Sequence, residues 1–202
     1  ISGSAVLTVA GLAEEYRLNV TRDAESWTAF LDTAAKMYKY PFEDQLLIHA
    51  QRPEASACAS MELWNGTFQG WIKKGAKGIA LLDRSRGEPK LRYVFDIADT
   101  REGRANTRPP YVWQMKPELE DAVTAALKSV YGDNGNDIKS QITALAKGAA
   151  ESYTGIIKTE HSEKTIAQSV AYVVLSRCGL DVEGVIRDFQ DVGDWTLEDI
   201  SR

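Results

Sequence analysis

One stretch of this chain, Trp71-Ile72-Lys73-Lys74-Gly75-Ala76-Lys77-Gly78-Ile79-Ala80-Leu81-Leu82, reads as a strand, a tight turn and a second strand. Gly75 and Gly78 permit positive φ and a narrow loop. Lys73, Lys74 and Lys77 crowd three cations onto that loop. Their repulsion is relieved by solvent or by a negatively charged partner, and phosphate is the partner chemistry to expect. A solvated hairpin tip explains an isolated motif of this kind as well, so the neighbours decide. Residues 68–73, 79–83 and 91–96 read as three strands. A polar loop, Arg84-Ser85-Arg86-Gly87-Glu88-Pro89, joins the second to the third. Strands in this order form a meander, which predicts an antiparallel sheet.

Helical spacing surrounds this β segment. Thr21 or Asp23 can cap a helix in which Trp27, Phe30, Leu31, Ala34 and Tyr38 form one apolar stripe. Pro41 breaks that helix and suits the first turn of the next, 42–51, which Pro53 ends. A third helical piece, 56–64, runs to the turn signal Asn65-Gly66. Residues 1–20 are weakly patterned, and Val6, Leu7 and Val9 suit a short strand or a linker. The polar run 99–110, with Pro109-Pro110, marks a boundary. Beyond it helices are expected at 116–131, 137–152 and 160–177, the last stopped by Gly179. A short helix at 182–189 and a segment capped by Thr196 complete the pattern. The expectation is an α+β chain: N-terminal helices with a small antiparallel β-meander, then an all-helical C-terminal part. The domains are expected at 21–108 and 110–202. Beginning at Ile1 and stopping in a polar, helix-like run, the chain reads as a piece of a longer polypeptide.

Charge narrows the function. The 202 residues carry a formal net charge of -5, which argues against indiscriminate nucleic-acid binding by the whole surface. From Trp64 to Arg108, however, there are ten Lys/Arg against five Asp/Glu, about +5. The remainder is then about -10. No 18-residue apolar run is present, so no membrane span is expected. Cys58 and Cys178 lie far apart in sequence and read as buried free thiols of a reducing, cytoplasmic compartment.

Catalytic signatures are absent from the sequence: there is no HExxH, CxxC, GxSxG or Walker glycine loop. His49, beside Leu47 and Ile48, reads as structural. His161 lies in Thr159-Glu160-His161-Ser162-Glu163, which resembles a helix start. Glu43-Asp44 could serve as an acid/base pair, but carboxylates in a first helical turn are common for electrostatic reasons alone. No catalytic residue, cofactor or metal is expected. Binding is: single strands of nucleic acid are held by cations along the backbone and flat side chains under the bases. Lys73, Lys74, Lys77, Arg84, Arg86 and Arg92 are the candidate cations, with Trp71 the first stacking candidate. On strands, alternate residues share a face. Trp71 and Lys73 therefore point one way and Ile72 the other, while Leu91, Tyr93 and Phe95 share a face. Tyr93 and Phe95 are read as core.

These residues carry a resemblance. Trp27, Tyr38-x-Tyr40, Asp44-Gln45-Leu46-Leu47-Ile48, Gln51-x-Pro53-x-Ala55, Trp64, Trp71 to Ile79, and Val94-Phe95-Asp96 with Thr100 resemble the N-terminal domain of ArdC-type antirestriction proteins. That domain recurs at the front of LtrC-like and large polyvalent proteins of conjugative transposons. The resemblance covers about residues 21–100. It implies a single-stranded DNA-binding module of a mobile element, with single-stranded DNA and other domains of the parent polypeptide as partners. Asp44 departs from the family, which often has Asn there. A carboxylate repels phosphate, so contact from this helix would come from Gln45 or Gln51. In ArdC a zinc metallopeptidase domain follows. Here Glu163 to Asp181 looks like the helix after the metal-binding helix, but HExxH is missing, and a zincin without its two histidines cannot assemble the metal site. Residues 110–202 are therefore expected to be a non-catalytic remnant. The alternative expectation is a docking or DNA-mimic module, with a residual peptidase the weakest reading.

Overall fold

The structure, a computed structural model, describes residues 3–85, 87–101, 110, 113–152, 160–187 and 189. The elements in chain order are α1 (Gly3–Val20), α2 (Ala24–Lys36), α3 (Phe42–Gln51), β1 (Cys58–Ala59), β2 (Trp71–Ile72), β3 (Ile79–Asp83), β4 (Lys90–Asp96), β5 (Thr100–Arg101), α4 (Glu120–Tyr131), α5 (Ile138–Ser152) and α6 (Glu160–Cys178). The class is α+β, with short antiparallel sheets among the helices and a helical C-terminal part. Two compact units divide the chain. The described residues of 1–20 and 36–111 form the first, and those of 21–35 and 112–200 form the second.

In the first unit, residues 3–20 are a helix, not the expected linker or short strand. Val9 and Ala13 are buried, with Val6, Ala10 and Leu12 packed beside them, while Leu7 and Leu18 face solvent. Most of the inward positions are small or β-branched, and Arg17 is buried among them, which masks the helical period. Helix α1 packs on α3 and β3, and α3 buries Leu46, Leu47 and Ile48. The expected helix at 56–64 is replaced by β1 and a π-helical turn, Leu63–Thr67. That turn seats buried Trp64, whose Nε1 donates to the Phe95 carbonyl at 2.8 Å.

Strands β3 and β4 form the expected hairpin, with Ile79 opposite Val94 and Asp83 opposite Lys90. Strand β4 also pairs with β1, giving the antiparallel order β1-β4-β3. The pairing of β2 differs from expectation. It bonds to β5, Trp71 opposite Arg101 and Ile72 opposite Thr100, and not to β3. Residues 73–78 therefore cross between two sheets instead of turning a hairpin. The cause lies in packing: Ile72 and Ala76 join a small cluster around Ala59, Trp64 and Phe95. A Cβ on Gly78 would sit 3.1 Å from the Phe95 ring, so the backbone must lie flat against that ring.

In the second unit, Asp23 caps α2, accepting from the Ser26 amide at 2.8 Å. Of the expected stripe, Trp27, Phe30, Leu31 and Ala34 are buried, whereas Tyr38 lies past the end of α2 and is half exposed. Trp27 Nε1 donates to Ser169 Oγ at 2.8 Å and Tyr172 Oη donates to Asp32 Oδ1 at 2.9 Å, clasping α2 to α6. Helix α2 thus groups with the C-terminal helices and not with the sheet-bearing residues that follow it in sequence. Lys139, in the first turn of α5, reaches Asp181 beyond the end of α6 at 2.6 Å, so these helices run antiparallel. Gly179 at φ 72° ends α6 as its position implied, with the Leu180 amide donating to the Leu175 carbonyl at 3.0 Å. Residues 182–187 are not helical: Gly184 at φ 68° makes a turn there. The Thr196 segment and most of the 99–110 boundary lie outside the described residues. Among the described residues, no helix is long and apolar enough to cross a membrane.

Candidate nucleic-acid interface

The loop 73–78 is pinned along its length. The Lys73 amide donates to the Asp99 carbonyl at 2.8 Å, and Lys73 Nζ donates to the Ala98 carbonyl at 2.8 Å. The Ala76 amide closes a turn onto the Lys73 carbonyl at 3.1 Å, with Gly75 at φ 87°. Ala76 is half-buried against the Trp64–Phe95 cluster, and Gly78 abuts Phe95. What this scaffold leaves outward is Lys74 and Lys77, both exposed and without hydrogen bond or ion pair among the described residues. Trp71, at the loop's entry, is 49 % exposed. Lys73 belongs to the scaffold more than to the presented surface.

Other residues expected at the site are engaged elsewhere. Arg84 forms a fork on Glu43, with Nη2 to Oε1 at 2.9 Å and Nε to Oε2 at 3.2 Å. Arg92 Nη2 donates to Asp44 Oδ2, and its guanidinium lies 6.0 Å from the Tyr40 ring centre. Asp44 is thus already matched by a cation. Burial nevertheless pushes its carboxyl above the usual carboxylate range, and Arg92 offsets this only in part. These two pairs also occupy the Glu43-Asp44 carboxylates as ion-pair partners. Gln45 Nε2 donates to the Tyr40 and Met37 carbonyls at 2.8 and 3.2 Å. Gln51 binds both backbone groups of Ala80: it accepts from the amide at 2.9 Å and donates to the carbonyl at 2.9 Å. Both glutamines therefore spend their amides on the fold. Arg86 lies outside the described residues.

Two exposed residues were not anticipated. Tyr93, read as core, is 51 % exposed, although Phe95 on the same face of β4 is buried. Arg101 is exposed on β5, directly opposite Trp71. Alternation alone puts Tyr93 with Phe95. The signal that could have separated them is Gly78, whose missing side chain lets the crossing chain cover Phe95.

Burial raises two ionisable groups nearby. The Cys58 thiol and the Tyr40 hydroxyl, which donates to the Cys58 carbonyl at 2.8 Å, are each pushed up to about 12, chiefly by desolvation. His49 is buried and meets Tyr16 edge-on at 5.7 Å, a packing role. His161 lies in the first turn of α6. Among the described residues, no group of three or more His, Cys, Asp or Glu could hold a metal ion. A groove of about 840 Å³ in the second unit is lined by Lys147, Glu151, Glu163 and Lys164 over Ala167 and Ala171. Its charges alternate in sign, so it builds no cationic field like that of the loop. Comparison with family models, with curated proteins and with solved structures returns no match.

Proposed function

We propose that this chain binds single-stranded DNA without sequence preference, as a non-catalytic module of a mobile-element protein. The observation that carries the reading is the pinned loop, which offers Lys74 and Lys77 unpaired beside exposed Trp71. A loop already held in place loses little further backbone freedom on binding, so the cost left is that of ordering the lysine side chains. Cations beside a flat ring suit a strand whose backbone and bases are both accessible. The acidic remainder of the chain repels a polyanion and would confine it to this surface. The likeness of Trp71 to Ile79 and its flanking motifs to the ArdC N-terminal domain supports the same ligand, the mobile-element setting and a link to antirestriction.

The test is fluorescence anisotropy with a labelled oligothymidylate at low salt. Two or three cations meeting phosphates give a shallow log–log salt dependence, a slope of about -2. The double change Lys74→Ala/Lys77→Ala should flatten that slope by about 1.4 and weaken binding. Equal binding by wild type and double variant would refute the assignment. A second reading, docking on another part of the parent polypeptide or charge mimicry of DNA, draws on Val130 and Tyr131. They are 71 % and 60 % exposed at the end of α4. It predicts partner capture that survives the lysine changes.

A further inference from the structure

We infer that Tyr93 and Arg101, neither of them part of the lysine motif, complete the interface as a second stacking platform and a further phosphate contact. Each end of the loop 73–78 then carries one ring and one cation: Trp71 with Arg101 at its start, Tyr93 with Lys77 at its end. The inference rests on the single-strand reading above.

Geometry at the start of the loop comes from strand register. Trp71 and Arg101 are direct antiparallel partners, and such residues project from the same face with their Cβ atoms about 5 Å apart. The opposite face of β2 is committed, because Ile72 packs on the Trp64–Phe95 cluster. Trp71 and Arg101 are both exposed on the remaining face, and Arg101 has no ion pair among the described residues. At the loop's end, a Cβ on Gly78 would lie 3.1 Å from Tyr93 Cβ. Lys77, exposed, immediately precedes Gly78 in the chain. The Tyr93 hydroxyl has no hydrogen bond among the described residues, and the residue is half exposed. A ring and a cation repeated at both ends of one rigid loop match the base-and-phosphate repeat of a nucleotide strand. A carboxylate-rich peptide would use the cations and leave the rings idle.

The full chain, with a labelled oligothymidylate of about 15 nucleotides, tests this directly. Tyr93→Ala should weaken binding about 5- to 150-fold, the range for one lost base stack. Tyr93→Phe, which keeps the ring, should bind like wild type. Arg101→Gln should flatten the log–log salt slope by about 0.7, one phosphate contact on a single strand. Thermal melting of each variant checks folding, and Arg101→Gln still decides the matter should Tyr93→Ala fail to fold. Wild-type affinity and slope in both Tyr93→Ala and Arg101→Gln, with Lys74→Ala/Lys77→Ala weakened, overturn the inference and leave the single-strand reading standing. Absence of any binding by wild type removes both. Competition by polyglutamate as effective as by the oligonucleotide also overturns it, since the rings would then contribute nothing.

Discussion

The Asp96 carboxylate, 2 % exposed as a residue, accepts from three backbone amides: Ser56 at 2.7 Å, Ala57 at 3.0 Å and Ala98 at 2.8 Å. Its own amide donates to Asp99 Oδ2 at 3.2 Å, and that oxygen also receives Arg52 at 2.6 Å. One side chain thus ties the segment before β1 to the short turn between β4 and β5. Removing it takes a charged acceptor away from three backbone amides at once. Asp96→Ala is expected to cost about 3 kcal/mol of unfolding free energy, read from urea denaturation at neutral pH. Lys74→Ala, at an exposed and unpaired position, should change it by less than about 0.5 kcal/mol. The contrast separates residues that hold the loop's foundation from those it presents.

At the scale of elements, the cap on α2 sets a pH dependence. The Ser26 amide, and then Arg22, hold the Asp23 carboxyl down to about 2. An unfolded aspartate titrates near about 4. The folded form favours the ionised carboxyl, so the stabilisation is complete above the unfolded value and disappears as pH falls through about 2. Between about pH 4 and pH 2 the melting temperature should fall, and fall less in Asp23→Asn, as followed by circular dichroism. Helices such as α2 and α3 were legible because large apolar residues recur every turn. Helix α1 was not, because Ala10, Ala13 and Val9 fill its inward face and Leu7 and Leu18 point out. The partner of β2 was not legible either: it arrives about thirty residues later, and two glycines mimic a hairpin. The same distance problem affected the site. Lys74, Lys77 and Trp71 could be read locally, whereas Arg84, Arg92 and Gln51 find partners 41, 48 and 29 positions away.

For the whole molecule, the discontinuity of the second unit is the governing feature. Residues 112–200 share it with 21–35, so a fragment cut at the proline-rich boundary lacks α2. Trp27 and Asp32 would leave Ser169 and Tyr172 of α6 without their bonds. Expressed alone, residues 112–202 should melt without a sharp transition, and a peptide of residues 21–35 added in trans should restore one in calorimetry. A fragment that melts sharply by itself, unaffected by the peptide, would show α2 to be dispensable. The clasp between α2 and α6 also has a timetable. Trp27 leaves the ribosome 142 residues ahead of Ser169. At translation rates of about 5–20 residues per second, it waits on the order of ten seconds for its partner. Throughout that interval Trp27 and Phe30 travel uncovered on the nascent chain, a greasy stripe within reach of any chaperone that scans emerging polypeptides.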